Sequence, residues 1–411
     1  MIASMEKPAW LHDGPSFMSS RTYRFLRLFF GVSLVFIILN FYVLDLRSHV
    51  NRQAQNLGRG ANTKIQNATL NAASNSTLGF DSIQFVNLAG RFDRSDAATI
   101  QAYLSGLDIT EVPGVLADDI HEVGMPPSHR NTLKKGEKGC WRAHANIWAQ
   151  MLRDKTPAVL VMESDTAWDL NVREIMRNLN EHFTYFLHQL NSTPVHNGGY
   201  DARNAPKPGP GPILLNPDDP WHSEHWDLLS LGQCFENKEN SDVRVIYPDE
   251  FIEPGKDYFG RPLGAERVVR KSGGIVCTTA YAVSQTGAAK LLLRSAVDLD
   301  NPVDLIMRRL IISDDLLTYS VMPTVFAQWE YKDKIGQDER GANSDINGED
   351  NGDGDINLEG WDEVNESGSV WQAKSFHPDV AFTNMALEKA WSLIMPDAVL
   401  QKSQYDEATG N

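Results

Sequence analysis

Glu163 and Asp165 stand two residues apart at the end of a short apolar run, Ala158 to Met162. The run breaks into acids with no turn residue between. That is the pattern of a buried parallel strand delivering carboxylates at its C-terminal end, where open α/β sheets place ligands. Two carboxylates at this spacing can address one hard divalent cation, directly or through water. Such a cation could hold the diphosphate of a nucleotide sugar. Taken alone, Val159 to Asp169 reads more simply as a strand end with solvated acids; the neighbours shift the balance.

Other residues could do chemistry, each with a plainer alternative. Arg91 and Arg94 could bind phosphate, although pairing with Asp93 and Asp96 is the simpler use. Gly273 and Gly274 could let backbone approach a ligand, or merely form a turn. His222, Glu224, His225 and Asp227 crowd together, but their spacing fits no standard zinc pattern, so a polar loop leading into a strand is preferred. Asp304 follows Asn301-Pro302, which reads as an N-cap with proline at N1. A capping-box acid explains Asp304 fully; equally, it could aim a carboxylate into a cleft. His144, on or near the apolar stripe of a helix, reads as a satisfied histidine. Cys140, Cys234 and Cys277 are too few for a disulfide framework; one pair with a free thiol and three buried thiols are equally open. Glu349 to Gly360 resembles a calcium loop that lacks the first Asp and the final Glu, so it reads as a solvated acidic linker.

Strands and helices must position these groups. Ile83 to Leu88 is a first strand, followed by a helix capped by Asp93 or Ser95 with Ile100, Tyr103 and Leu104 facing inward. This opening resembles a nucleotide-binding α/β unit, but GxGxxG and P-loop motifs are absent. Ile109 to Val115 is a second strand, and Ala117 to Lys138 a surface loop. Gly139-Cys140 opens a helix with Trp141, Ala145, Trp148, Met151 and Leu152 as its stripe. Val172 to Leu190 carries apolar residues at 3–4 spacing. Asn197 to Pro212 reads as an exposed insertion. Trp226 to Leu231 is a buried strand ended by Gly232. Gly273 to Ser284 is another strand, with a helix after Gly287, and Leu316 to Met322 is the last. Ala381 to Met395 can form one amphipathic helix.

The chain has 411 residues, 42% hydrophobic, and a net charge of -16. That balance argues against nucleic-acid binding. Leu28 to Leu44 carries no charge and, with Phe25 and Leu26, reaches the ~20 residues of a spanning helix. Arg21, Arg24 and Arg27 precede it, which favours a cytosolic N-terminus, and no A-x-A-like cleavage site follows. The expected organisation is a cytosolic tail (1–24), a signal anchor (25–46), a flexible lumenal stem (47–80), a folded domain (81–331) and an acidic C-terminal region (332–411). The sequons at Asn67, Asn75, Asn191 and Asn365 suit lumenal exposure.

The order of the pieces is more specific than any one of them. Phe85-Val-Asn87-Leu88 with Arg91 and Asp93-Arg94, Gly139-Cys140-Trp-Arg-Ala-His144, Val159 to Asp165, Trp226 to Gly232, Ala280 to Ser284 with Gly287 to Leu291, and Pro302-Val-Asp304 together resemble glycosyltransferase family 25. Glu163-Ser164-Asp165, Phe326 to Trp329 and Asn343 to Ile346 look like its fungal members. The resemblance covers about Ile83 to Ile346.

It implies a GT-A fold, a Rossmann-like mixed sheet flanked by helices. It implies inverting transfer of a hexose, galactose first, from a UDP-sugar to a glycan or glycoprotein acceptor with Mn²⁺ or Mg²⁺, in a Golgi or ER membrane. Asp165 would be the chief metal ligand and Glu163 the second. Asn87, Arg91 and Arg94 would line the nucleotide side, with Gly274 against the donor. Asp304 is the first candidate base and Asp227 the second. Where many members have Glu-Asp-Asp, this chain has Ser164 in the middle. Strand alternation would turn Ser164 away from the cation and make the loss tolerable. If the middle acid contributes, a non-catalytic, membrane-anchored glycan binder on the same fold is the alternative. A pyrophosphorylase would want a Gly-rich phosphate loop and a soluble chain, and both are absent.

Overall fold

The computed structural model describes residue 64, residues 66–130, 133–192 and 216–332, and the short stretches 336–337, 356–357, 370–373 and 393–394. The chain divides into two units, Met1–Lys64 and Ile65–Asn411, and everything below concerns the second. The apolar stretch 28–44, the insertion 197–212 and most of the acidic C-terminal region lie outside the described residues. Among the described residues no helix is long and apolar enough to cross a membrane.

The elements run β1 (Ile83–Asn87), α2 (Phe92–Ser105), β2 (Ile109–Pro113), α3 (Lys135–Asp154), β3 (Ala158–Glu163), β4 (Thr166–Trp168) and α4 (Val172–Ser192). After residue 215 come β5 (Leu228–Ser230), β6 (Phe235–Glu236), β7 (Arg244–Pro248), the hairpin β8 (Asp257–Tyr258) and β9 (Arg261–Pro262), β10 (Glu266–Lys271), β11 (Ile275–Val276) and β12 (Ala280–Ser284). Then follow α5 (Gln285–Val297), α6 (Val303–Ile312), β13 (Thr318–Met322) and β14 (Phe326–Tyr331). A short helix, α1 (residues 66–73), precedes them. Beyond β14 lie the two-residue ladder β15 (Gly336–Gln337) with β16 (Ile356–Asn357), and β17 (Trp371–Ala373) on β14.

The main sheet has eight strands in the order β2-β1-β3-β12-β5-β13-β10-β7. β1 pairs in parallel with β2 and β3, and β5 with β13; β12 runs antiparallel between β3 and β5. This is a mixed α/β sheet flanked by helices. β3 shows how the layers are made. Val159, Leu160, Val161 and Met162 are all fully buried, and alternate residues serve opposite faces. Val159 and Val161 pack with Trp148 of α3, Leu291 of α5 and Met307 of α6. Leu160 and Met162 pack with Met176, Leu179 and Phe183 of α4. Burying each such side chain contributes about 1.5–3 kcal/mol.

Several expectations shift. The stretch read as a flexible stem is folded at its end, because Leu78 and Phe80 lie in the core and Phe80 stacks on Trp221 at 5.2 Å. α2 turns the opposite face inward. Ile100 and Tyr103 are exposed, and the buried side is Arg94, Ala97, Ala98, Gln101, Ala102 and Ser105. The alanines and Ser105 let α2 lie close against β4, where Ser105 and Gln101 accept from Trp168. The N-cap of α2 is Arg91 with no side-chain cap, in place of Asp93 or Ser95. α3 starts at Lys135, inside the expected loop. It packs closely on residues 115–117, since a Cβ on Gly139 would meet the Val115 carbonyl oxygen at 2.1 Å. The strand expected over Gly273 to Ser284 is broken into β11 and β12 at Cys277, whose φ is 69°.

Candidate active site

β3 ends at Glu163, and residues 164–165 turn the chain into β4. β4 is held antiparallel by β14, with Thr166 opposite Gln328. This pairing fixes Asp165 from two sides: its carbonyl accepts from Trp329 N–H at 2.8 Å, and its Oδ2 accepts from Gln328 Nε2 at 2.8 Å. Arg94 Nη2 stands 3.5 Å from the same Oδ2. Oδ1 is buried and has no hydrogen-bond partner among the described residues. A buried carboxylate oxygen left unpaired is costly, and a cation is the partner that suits it.

Glu163 is held differently. Its Oε1 accepts from Thr278 Oγ1 at 2.5 Å and lies 3.6 Å from His144 Nε2. Its Oε2 has no protein partner among the described residues, and the side chain is 26% exposed. Asp304 completes the cluster. Its Oδ2 accepts from Cys277 N–H at 3.2 Å and its Oδ1 from Leu305 N–H at 2.8 Å. Cys277 and Thr278 therefore bridge the two carboxylates, one through its amide and the next through its hydroxyl. A disulfide between Cys234 and Cys277 ties this bridge to the β6–β11 ladder, and Cys140 is the free thiol.

The charges respond to this crowding. Burial pushes Asp165 up to about 6, with Arg94 and Gln328 opposing and the Glu163 charge adding. Burial also raises Asp304, against the Cys277 and Leu305 amides and with the Glu163 charge. For Glu163 burial is outweighed by His144, Thr278 and Arg94, and its carboxyl lies below the usual range. Three acids in one place thus differ in proton affinity, as acid–base sites require.

The remaining expected residues divide. Arg94 belongs to the site, donating to Ser164 Oγ at 2.7 Å. Ser164 is therefore not turned away from the acids, because β3 has already ended and strand alternation no longer applies. Asn87 sits at the end of β1 with Nδ2 donating to the Arg91 carbonyl and Glu111, and its buried Oδ1 has no partner among the described residues. Arg91 forms a two-pronged pair with Asp93, the simpler of its two uses.

Gly274 is corrected. A Cβ there would meet Asn237 and Ile312, its N–H donates to Ser272 Oγ, and the Glu239 carbonyl fills the space at Gly273. Gly273 thus admits the chain's own backbone, and Gly274 lies against the side chains of Asn237 and Ile312 in place of a ligand. Asp227 is corrected as well. It precedes β5, and its carbonyl accepts from Ser284 N–H, opposite Ala158, at the start of β3. That is the other end of the sheet from Glu163. Its Oδ2 is taken by Lys290 at 2.5 Å and by Leu317 N–H at 2.7 Å. Asp304 keeps its place, but α6 is capped by Pro302 and not Asn301, so Asp304 is no capping-box acid.

Thr278, Gln328 and His144 were not singled out as site residues. They come from β12's approach, β14 and α3; His144 and Gln328 stand in stretches that carry the family resemblance, but nothing there assigns them to the acids. What brings them to Asp165 and Glu163 is strand pairing for Gln328 and Thr278 and the packing of α3 on the sheet for His144.

The fold and site together define an α/β protein with an acid pair and a third carboxylate at the end of a parallel strand. Residues 86–199 match the sequence model described as "Glycosyltransferase family 25 (LPS biosynthesis protein)". A "Glycosyltransferase 25 family member" of Drosophila melanogaster is 24% identical over 242 residues, 56% of this chain and 30% of that protein. "Procollagen galactosyltransferase 1" of Danio rerio is 29% identical over 114 residues, 25% of this chain and 19% of that protein. "Inactive glycosyltransferase 25 family member 3" of Homo sapiens is 30% identical over 118 residues, 26% of this chain and 20% of that protein. These matches support membership of glycosyltransferase family 25 over the stretch they cover. It spans about a third or less of the length of these relatives.

Proposed function

We propose that this chain is a metal-dependent hexosyltransferase on a GT-A-type fold, transferring galactose or a related hexose from a UDP-sugar to a glycan or glycoprotein with inversion. The observation that carries the reading is the buried, unpartnered Oδ1 of Asp165 beside Glu163 at the end of β3. Asp165 and Glu163 would hold Mn²⁺ or Mg²⁺. The cation, when bound, would supply positive charge against the departing diphosphate.

The chain's own residues do the rest. Asp304 takes the proton of the attacking acceptor hydroxyl. Its raised pKa makes it a better base than an exposed aspartate, and the two amides that bond its oxygens keep it in place. Asn87 offers its unpaired Oδ1 on the nucleotide side. The Cys234–Cys277 disulfide and the sequons support a secretory-pathway setting, consistent with residues 25–46 as a signal anchor in a Golgi or ER membrane.

A second reading, a non-catalytic glycan binder, draws on one observation: the Arg94 guanidinium lies against Asp165, where it competes with a cation. Turnover separates the two. The full-length protein is incubated with UDP-galactose, UDP-glucose or GDP-mannose and Mn²⁺, and compared with EDTA and with Asp165→Ala. Hydrolysis of one donor that disappears in both controls supports the enzyme. Absence of turnover together with absence of Mn²⁺-dependent UDP binding supports the binder.

A further inference from the structure

Cys140, His144 and Glu163 bring a thiol sulfur, an imidazole nitrogen and a carboxylate oxygen within 4.8 Å of one another. By composition that set suits zinc. The hydrogen bonds behind His144 give it a different use.

His144 and Trp148 are one turn apart on α3 and face Tyr281 of β12, which is paired with Val161 of β3. All three side chains are 1% exposed. Trp148 Nε1 donates to the Tyr281 hydroxyl at 3.2 Å, and an indole nitrogen can only donate. The other partner of that hydroxyl among the described residues is His144 Nδ1, at 2.8 Å. A buried hydroxyl proton without an acceptor costs about 1–3 kcal/mol, so the Tyr281 O–H donates to Nδ1. A ring protonated on Nδ1, or on both nitrogens, would leave the phenol proton stranded. The His144 proton therefore sits on Nε2, the nitrogen that faces Glu163 Oε1 at 3.6 Å.

We propose that Trp148, Tyr281 and His144 form a buried, one-way hydrogen-bond chain that fixes the ring proton of His144 on Nε2 and aims it at Glu163. His144 and Tyr281 are then positioning residues. His144, oriented by Tyr281, and the Thr278 hydroxyl stand on Oε1 and hold the carboxylate in one rotamer, leaving Oε2 for a ligand. With Nδ1 accepting and Nε2 carrying hydrogen, the ring has no lone pair for zinc. This inference rests on the reading of Glu163 as a cation ligand, and groups that orient a metal ligand typically change metal affinity about 10–100-fold when removed.

Two measurements on the full-length protein test it. The first is the ¹⁵N spectrum of histidine-labelled wild type, with the His144 signals assigned by their loss in His144→Gln. Protonation at Nε2 is expected; protonation at Nδ1 overturns the chain, whether or not any cation binds. The second is calorimetric binding of Mn²⁺ in the presence of UDP to His144→Gln, His144→Asn and Tyr281→Phe. A glutamine amide nitrogen reaches the place of Nε2, and an asparagine amide that of Nδ1. His144→Gln is expected to rescue affinity to within about threefold of wild type. His144→Asn and Tyr281→Phe should weaken it about tenfold or more. Equal effects of the two histidine variants contradict the proposal, as does tight Zn²⁺ binding by wild type that Cys140→Ser removes. Failure of wild type itself to bind Mn²⁺ with UDP contradicts the transferase reading instead, and the spectrum still decides the tautomer.

Discussion

Arg94 donates to Ser164 at 2.7 Å while its other terminal nitrogen lies 3.5 Å from Asp165 Oδ2. One buried guanidinium thus spans both residues that follow β3. Its side chain is only 5% exposed, so it needs compensating charge. Ser164 offers a hydroxyl where many family members offer an acid, and Asp165 supplies the charge. An acid at position 164 would take up Arg94 and free Asp165. Ser164→Asp is therefore expected to tighten Mn²⁺ binding by roughly three- to tenfold, on the scale of residues that support metal ligands. Calorimetry with UDP present measures it, and weaker binding in the variant would show that Ser164 acts otherwise.

The raised pKa of Asp165 gives a pH dependence with a definite sign. A carboxyl pushed up to about 6 by burial takes up a proton as pH falls through that value, and an arriving cation must displace it. Mn²⁺ affinity should fall about tenfold per pH unit below 6 and level off above 7. The stability of the metal-free protein should move the other way. An unfolded aspartate ionises near 3.9 and the folded one near 6, so this group's contribution is present below about 4 and is lost between 4 and 6. Titrations of affinity from pH 5 to 8 check the first statement; an affinity independent of pH contradicts it.

Asp304 and Asp227 should separate cleanly. Asp304→Asn is expected to lower turnover by about 10²–10⁴-fold with UDP and Mn²⁺ binding nearly intact, as loss of a general base does. Asp227→Asn should leave the chemistry in place and cost stability instead. It weakens a pairing with Lys290, whose side chain is 33% exposed, and retains an oxygen for the Leu317 amide, so about 1 kcal/mol is the expected scale. Donor hydrolysis and thermal melts on the two variants decide between them.

The Cys234–Cys277 disulfide should matter to the site as well as to the fold. It closes a separation of 43 residues, and removing such a link typically costs about 2–4 kcal/mol. Cys277 also presents its amide to Asp304 and is followed by Thr278, which bonds Glu163. Cys234→Ser with Cys277→Ser should thus lower both the melting temperature and turnover. A variant that melts early but turns over normally would show that the bridge between the carboxylates does not need the disulfide.

How far the sequence could be read depends on whether a feature is local. β3 is legible because five buried apolar residues run straight into Glu163, and α4 because its apolar residues recur at helical spacing. The buried face of α2 is not legible: alanines and Ser105 pack against Trp168, while the larger Ile100 and Tyr103 face solvent. Hydrophobicity points the wrong way when close approach selects small residues. Asp227 failed because it precedes its strand: β5 and β3 both run antiparallel to β12 and so point the same way, which leaves Asp227 at the start of the sheet and Glu163 at the end. Gln328 and Thr278 reach the acids through such long-range strand pairing, and His144 through the packing of α3 on the sheet. The break at Cys277 was hidden because a left-handed residue in an apolar run has no composition of its own, save when it is glycine.

The central claim is that Asp165 and Glu163 hold a divalent cation for a nucleotide diphosphate. Calorimetric titration of UDP into full-length wild type and Asp165→Ala, each with Mn²⁺ and with EDTA, tests it most directly. Wild type should bind UDP at least tenfold more tightly with Mn²⁺ than without, and Asp165→Ala should lose that difference. Equal binding under all four conditions would contradict the account.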